Sequence, residues 1–162
     1  MNLIVAVDNQ NGIGKNNKLL AHIPTDLEYF KKKTLNKVVV MGRKTLESLP
    51  GGRPLKNRIN IILTNNLDYK VKDAIVVNST SELFEQLANY YTDDIFIIGG
   101  AAVYAQFAPM CTFAYVTHML HDFDANTFAP SFNKWEKIAS FPIEEDNGYR
   151  FYWATHRNTK QI

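Results

Sequence analysis

Two short stretches of this chain are apolar at every position: Val38, Val39 and Val40, and Ile95, Phe96, Ile97 and Ile98. A strand with one wet face alternates apolar and polar residues. A strand without alternation is buried on both faces, which places it inside a sheet covered by helices on two sides. Further Ile- and Val-rich runs lie at 2–7, 37–41, 58–63, 74–77 and 94–98, with helical patterns between several of them. That alternation predicts an α/β fold with a mixed, mainly parallel sheet and flanking helices. The last third differs. Residues 113–118, 135–141 and 149–156 are aromatic and β-branched, separated by turn residues at 122–127 and 144–148. They predict antiparallel strands closing one edge, with Asn147-Gly148 a tight turn.

Two helix starts are marked. Thr25-x-x-Glu28 has the form of a capping box, with Pro24 before it, and Ser79-x-x-Glu82 is another, followed by Leu83, Phe84, Leu87 and Tyr91 at helical spacing. No repeat, low-complexity tract or flexible linker interrupts the sequence, so residues 1–162 are read as one domain.

Composition excludes several function classes. No apolar run approaches the ~18 residues of a membrane span. The first residues read as a strand without a basic n-region or cleavage site, which argues against a signal peptide. Cys111 is the only cysteine and fits a reducing, cytoplasmic compartment. Eighteen basic and sixteen acidic residues leave +2, too little for a nucleic-acid binder. The run Lys31, Lys32, Lys33 reads as a solvated helix face. The four histidines are scattered without metal-ligand spacing, no serine or cysteine nucleophile motif occurs, and neither standard phosphate-binding fingerprint is present.

Three features remain. Asp26 shares one stripe of a helix with Leu27, Phe30 and Thr34, so its carboxylate is expected to face inward, where an unpaired charge is costly. The plain alternative is that it only favours the helix dipole. Met41-Gly42-Arg43-Lys44-Thr45 follows a buried strand and opens a helix, a natural anion site or simply a turn with exposed cations. The stretch from Ile97 to Tyr104 is again strand, Gly99-Gly100 pair, helix, where paired glycines allow close backbone approach to a flat ligand or only a tight connection. Together they suggest a nucleotide cofactor beside a polar ring, at strand C-terminal ends.

These motifs resemble one family, the dihydrofolate reductases. The likeness is carried by Asn2-Leu-Ile-Val-Ala-Val-Asp, Asn11-Gly-Ile-Gly-Lys, Ile23-Pro-Thr-Asp-Leu-Glu-Tyr-Phe-Lys and Val40-Met-Gly-Arg-Lys-Thr-Leu-Glu-Ser-Leu. Arg53-Pro-Leu, Arg58-Ile-Asn-Ile-Ile-Leu-Thr, Ile98-Gly-Gly-Ala-Ala-Val-Tyr and Tyr115-Val-Thr-His continue it in the family's order to about residue 130. The bacterial single-domain form is most similar. The resemblance implies a monomeric enzyme that moves hydride from NADPH to C6 of dihydrofolate while N5 gains a proton, and that binds antifolates.

It also implies residue roles. Asp26 is the catalytic carboxylate and the pocket's ionisable group, pairing with the ring N3 and 2-amino group. Burial is expected to raise its pKa, and Thr117 bridges to it. The backbones of Ile4, Val5 and Ile98, with Tyr104, lie beside the reacting rings. Leu27, Phe30, Leu49 and Leu55 wall the substrate, Arg58 clamps its glutamate carboxylate, and Lys31 assists. The cofactor is implied to contact Ala6, Ile13, Gly14, Asn17 and Leu19 on the first strand and mobile loop. Gly42, Arg43, Lys44 and Thr45 hold its phosphates, with Leu63, Thr64 and Asn65 near the 2′-phosphate. Ile98, Gly99, Gly100, Ala101, Ala102, Val103, Tyr104 and Gln106 complete that site, and the Gly99–Gly100 bond is cis in the family.

The chain departs from the family pattern in places. Leu20 and Ala21 stand for the loop's usual proline and tryptophan, Ala102 for an arginine of many bacterial relatives, and Ala125-Asn126-Thr127 for Gly-Asp-Thr. These bear on loop closure and cofactor affinity. Two other readings are a same-fold pyrimidine reductase of riboflavin synthesis, which does not require Asp26, Phe30 and Arg58 together, and a non-catalytic folate or nucleotide binder.

Overall fold

The computed structural model describes residues 1–160; the last two residues of the expected domain lie outside the described residues. Eight strands run through one sheet in the order β10-β11-β7-β1-β6-β3-β4-β5, with β9 pairing to β11 as the ninth. The core of the sheet is β1 (Asn2–Val7), β3 (Val38–Gly42), β4 (Ile59–Leu63) and β6 (Ile95–Gly99), flanked by β5 (Ile75–Val77) and β7 (Phe113–Met119). All of these pair in parallel. The apolar runs behave as expected: Val38, Val39, Val40, Ile95, Phe96, Ile97 and Ile98 are all buried. Apolar clusters on both sides of the sheet share its strands, with Val38, Val40 and Ile97 on one side and Val39, Met41 and Phe96 on the other.

The C-terminal strands close the sheet antiparallel: β11 (Tyr149–Arg157) pairs with β7 along seven positions, and β10 (Glu144–Asp146) folds back on β11. Asn147 and Gly148 have φ of 51° and 81°, the left-handed pair that a two-residue hairpin turn requires. Only these two residues turn, because 144–146, expected as part of the turn, are strand. Residues 135–141 shorten to β9 (Glu136–Ser140), and a small second sheet joins β2 (Gly12–Gly14) to β8 (Thr127–Phe128). Neither β2 nor β8 contains an apolar run or an alternation long enough to mark it in the sequence.

Helices α1 (Pro24–Thr34), α2 (Arg43–Ser48), α3 (Thr80–Leu87) and α4 (Ala101–Phe107) cover the sheet. Among the described residues no helix is long and apolar enough to cross a membrane. Ser79 caps α3 as expected, accepting from the Glu82 N–H, while the Glu82 carboxylate reaches back to the Asn78 N–H at 2.8 Å. The helix ends at Leu87, so Tyr91 lies outside it and is exposed.

The expected box at Thr25 is a correction. Ile23 is the N-cap without a side-chain bond and Pro24 is already helical, its missing N–H costing nothing in the first turn. Thr25 is instead tied to β10, where its N–H and hydroxyl both donate to Asp146 at 2.8 and 2.6 Å. The lysine run needs a correction as well: Lys31 and Lys32 are exposed, whereas Lys33 lies over the Tyr115 ring at 4.5 Å from its centroid. Two of the scattered histidines also meet. His118 and His156 approach at 3.1 Å between Nε2 atoms, on neighbouring strands whose register sets His118 opposite Tyr152 and His156 opposite Ala114. Burial first, then His156 and Lys137, push His118 down to about 4.

Candidate active site

Thr117 and His118 are consecutive on β7 and point to opposite faces of the sheet. Thr117, buried, faces α1, and its hydroxyl donates to Asp26 Oδ1 at 2.6 Å. Trp153, which is paired with Thr117 in the β7–β11 register, donates its indole N–H to the same oxygen at 2.9 Å. Desolvation pushes the Asp26 carboxyl above its ordinary range, and the Thr117 and Trp153 hydrogen bonds oppose it without cancelling it. Asp26 therefore faces the protein as expected. The rest of its stripe is graded: Thr34 is fully buried and Phe30 half-buried, while Leu27 is 43% exposed. Phe30, Leu49 and Leu55 are partly buried and pack against the core cluster of Ile4, Val39, Met41, Leu46, Ile62, Phe96 and Ile98.

The segment from Leu55 to Arg58 is organised by a residue that the sequence did not mark. Buried Asn60 on β4 accepts from the Leu55 N–H at 3.0 Å and donates to the Leu55 and Arg58 carbonyls at 2.9 and 3.2 Å. A polar residue in an otherwise apolar strand was the available signal. Arg58 is half-buried; its Nε donates to the Thr34 hydroxyl at 3.3 Å and Nη1 to the Lys56 carbonyl at 2.8 Å. Those bonds fix the guanidinium plane. Lys31 sits exposed on α1.

A second group of residues gathers at the C-terminal ends of β6, β3 and β4. Gly42 is opposite Leu63 in one pairing and Met41 opposite Gly99 in the next, so the three strand-to-loop junctions lie side by side. The Gly99–Gly100 bond is cis. A Cβ on Gly99, at φ +120°, would meet the Tyr104 ring at 3.1 Å, and one on Gly100 would meet Thr45 Oγ1 at 3.3 Å. The glycine pair therefore leaves bare backbone that any side chain would fill, a cradle suited to a flat ring and a pyrophosphate. Tyr104 is buried and donates its hydroxyl to the Ile4 carbonyl at 2.8 Å, locking β1 beside this cradle.

Around the cradle, Ala101 is half-buried and Ala102 exposed, while Val103 packs inward. Gln106 donates to Thr80 Oγ1 at 3.0 Å. Arg43 is paired with Glu47 at 2.9 Å, a partner one helical turn away that the sequence reading did not foresee. Thr64 is half-buried and Asn65 exposed; the Asn78 amide holds the loop after them by donating to the Thr64 carbonyl at 2.9 Å.

The loop after β1 spans both groups. Buried Asp8 anchors it, accepting from the Gly12, Gln10 and Phe123 N–H groups at 2.7, 2.9 and 3.1 Å. Gly14 is buried, and Lys15 pairs with Asp124. Asn17 donates to the Lys44 carbonyl at 3.2 Å, tying the loop to α2, and Leu19 projects outward at 70% exposure. Asn126, where the family more often has aspartate, still accepts from the Asn16 N–H and donates to Asn16 Oδ1 at 3.0 Å. Leu20 and Ala21 pack against Ile23, Met119 and Phe151.

Comparison with known proteins identifies the family and the fold. A family model described as dihydrofolate reductase matches residues 1–158. A dihydrofolate reductase of Bacillus subtilis (strain 168) is 37% identical, covering 99% of this chain and 97% of its own length. One from Staphylococcus haemolyticus is 35% identical at 99% and 96% coverage. Among solved structures, dihydrofolate reductase from Enterococcus faecalis, complexed with NADP(H) and RAB-propyl, superposes with a TM-score of 0.88. It is 36% identical and covers 98% of this chain and 95% of its own.

Proposed function

The chain belongs to the dihydrofolate reductase family and is an NADPH-dependent oxidoreductase that reduces dihydrofolate to tetrahydrofolate; from that premise we propose which of its residues carry the reaction. The observation behind the assignment is Asp26, a raised-pKa carboxylate with both protein donors converging on Oδ1. Among the described residues no hydrogen bond reaches Oδ2, which is then available to the ring N3 and 2-amino group of the pteridine. A desolvated carboxylate pairing with two donors gives a charge-assisted, orientation-specific contact.

NADPH supplies the hydride. Gly99, Gly100 and Thr45 would hold its nicotinamide and pyrophosphate portions, Gly42 and Lys44 the phosphates, and Arg43, Thr64 and Asn65 the 2′-phosphate. Ile4, Val5, Ala6, Ile98 and Tyr104 would lie between the two ligands. Arg58 stands at the rim for the glutamate carboxylate, its plane preset by Thr34 and Lys56. Asp26 does its work by holding the ring and by favouring the positively charged form of the substrate as N5 takes its proton from water. The loop carrying Ile13, Gly14, Asn17 and Leu19 excludes water when it covers the ring.

We also assign to this chain binding of antifolate inhibitors at Asp26, a monomeric single-domain state and a cytoplasmic location. The test is NADPH oxidation followed by absorbance with and without dihydrofolate. Oxidation that depends on dihydrofolate is expected. Oxidation only with the ribosylated pyrimidine intermediate of riboflavin synthesis, or with neither, overturns the reading.

A further inference from the structure

Trp153 lies 127 positions from Asp26 in the chain yet contacts its carboxylate directly. Three features aim its indole. The β7–β11 pairing sets it opposite Thr117, so both side chains leave the sheet on the α1 face. Tyr29, one turn after Asp26 on α1, stacks on the indole with centroids 4.6 Å apart and planes 16° from parallel. Phe151 meets it edge-on at 5.4 Å. The ring is thus held between a helix and a strand, with its single polar atom on Asp26 Oδ1.

We propose that Trp153 is a positioning residue for Asp26: with Thr117 it fixes the carboxylate so that Oδ2 faces the ligand, and its N–H favours the ionised carboxylate over the protonated acid. Two donors on one oxygen define the carboxylate plane, whereas Thr117 alone would leave it free to rotate about its own hydrogen bond. Each N–H donor also favours the charged form over the protonated one. The other titratable groups around Asp26 are Tyr29 on α1 and Tyr115 on β7, Lys33 over both rings, and Asp146 bound to Thr25. Burial pushes both phenols upward, Tyr29 to about 12, so neither changes charge where Asp26 titrates. A half-buried tryptophan serving only as packing could give its N–H to water; here it is given to the carboxylate.

The inference rests on the catalytic reading of Asp26, so its test reads the carboxyl itself as well as the reaction. Protein labelled with ¹³C at aspartate carboxyls is titrated by NMR as wild type and as Trp153→Phe. The variant keeps an aromatic ring against Tyr29 and removes the donor. The Asp26 midpoint is expected to rise by about one pH unit, the size set by one hydrogen bond to a charged group. An unchanged Asp26 midpoint, with or without lost thermal stability, overturns the proposal and leaves the catalytic reading of Asp26 standing.

Single-turnover hydride transfer is then followed against pH. A midpoint that moves with the carboxyl supports both statements. A moved carboxyl with an unmoved kinetic midpoint supports the positioning role and removes Asp26 from the rate. Should Trp153→Phe fail to fold, the wild type decides: the Trp153 indole N–H resonance is expected to shift with the Asp26 midpoint, and a resonance indifferent to it overturns the proposal.

Discussion

Replacing Asp26 with asparagine separates the catalytic role of this carboxylate from its effect on stability. In Asp26→Asn the amide oxygen can still accept from Thr117 and Trp153, so the local structure is retained. Its NH₂ then occupies the Oδ2 position and presents donors to a ring edge that itself donates. Losing a charge-assisted pair there, worth ~1.5–3 kcal/mol per hydrogen bond, is expected to remove about 3–4 kcal/mol of transition-state binding, or roughly 10²–10³ in kcat/KM. The loss should be partly recovered on acidification, as the substrate takes its proton from solvent.

Stability should move the other way. The folded pKa of Asp26 is raised above 3.8 mainly by desolvation. A raised acid pKa means that stability is full below the unfolded value and declines as pH rises through the folded one. As pH rises through the folded value the wild type takes on that cost, and Asp26→Asn does not. Its Tm is expected to be higher near neutral pH and to converge with wild type below about 3.8. Steady-state kinetics and thermal melts across pH measure both effects. Unchanged kcat/KM with an unchanged pH profile, or a lower Tm at neutral pH, refutes the reasoning.

Three further expectations follow from the same geometry. Arg58→Leu should weaken folates with a glutamate tail by about tenfold or more while sparing small diaminopyrimidine inhibitors, since only the former supply a carboxylate to the guanidinium; equal losses in binding titrations would assign Arg58 to packing. Cofactor KM should favour NADPH over NADH by about tenfold, because Arg43 must leave an exposed Glu47 pair worth ~0.2–1 kcal/mol to gain a phosphate contact worth ~1.5–3 kcal/mol; equal KM values contradict that site. Tyr104→Phe strands the Ile4 carbonyl and should cost about 1 kcal/mol in denaturant unfolding, with cofactor affinity falling as β1 loosens.

The parallel sheet was legible because residues 38–40 and 95–98 are apolar without interruption, a pattern with one structural outcome. Spacing put Asp26 on one stripe of α1 with Leu27, Phe30 and Thr34 but left open whether its carboxylate faced inward or only favoured the helix dipole. The meeting of Asp26 with Thr117 was implied by family likeness. Trp153 and Asn60 were missed for a different reason. Their partners are set by the β7–β11 register and by a loop folding back on β4, and pairing registers are tertiary facts with no local periodicity. The Thr25 box failed because a competing acceptor, Asp146, arrived from the hairpin 121 residues later. Arg43 was weighed as an anion contact or an exposed turn cation without its neighbour Glu47 at i+4, which was there to be counted.

A crystal structure with NADP⁺ and folate bound tests the site assignment most directly. The pteridine is predicted to sit with its N3 and 2-amino group in hydrogen-bond reach of Asp26, its glutamate carboxylate on Arg58, and the nicotinamide against Gly99 and Gly100. A pteridine bound beyond hydrogen-bond distance of Asp26, or a nicotinamide away from the glycine pair, would contradict the account.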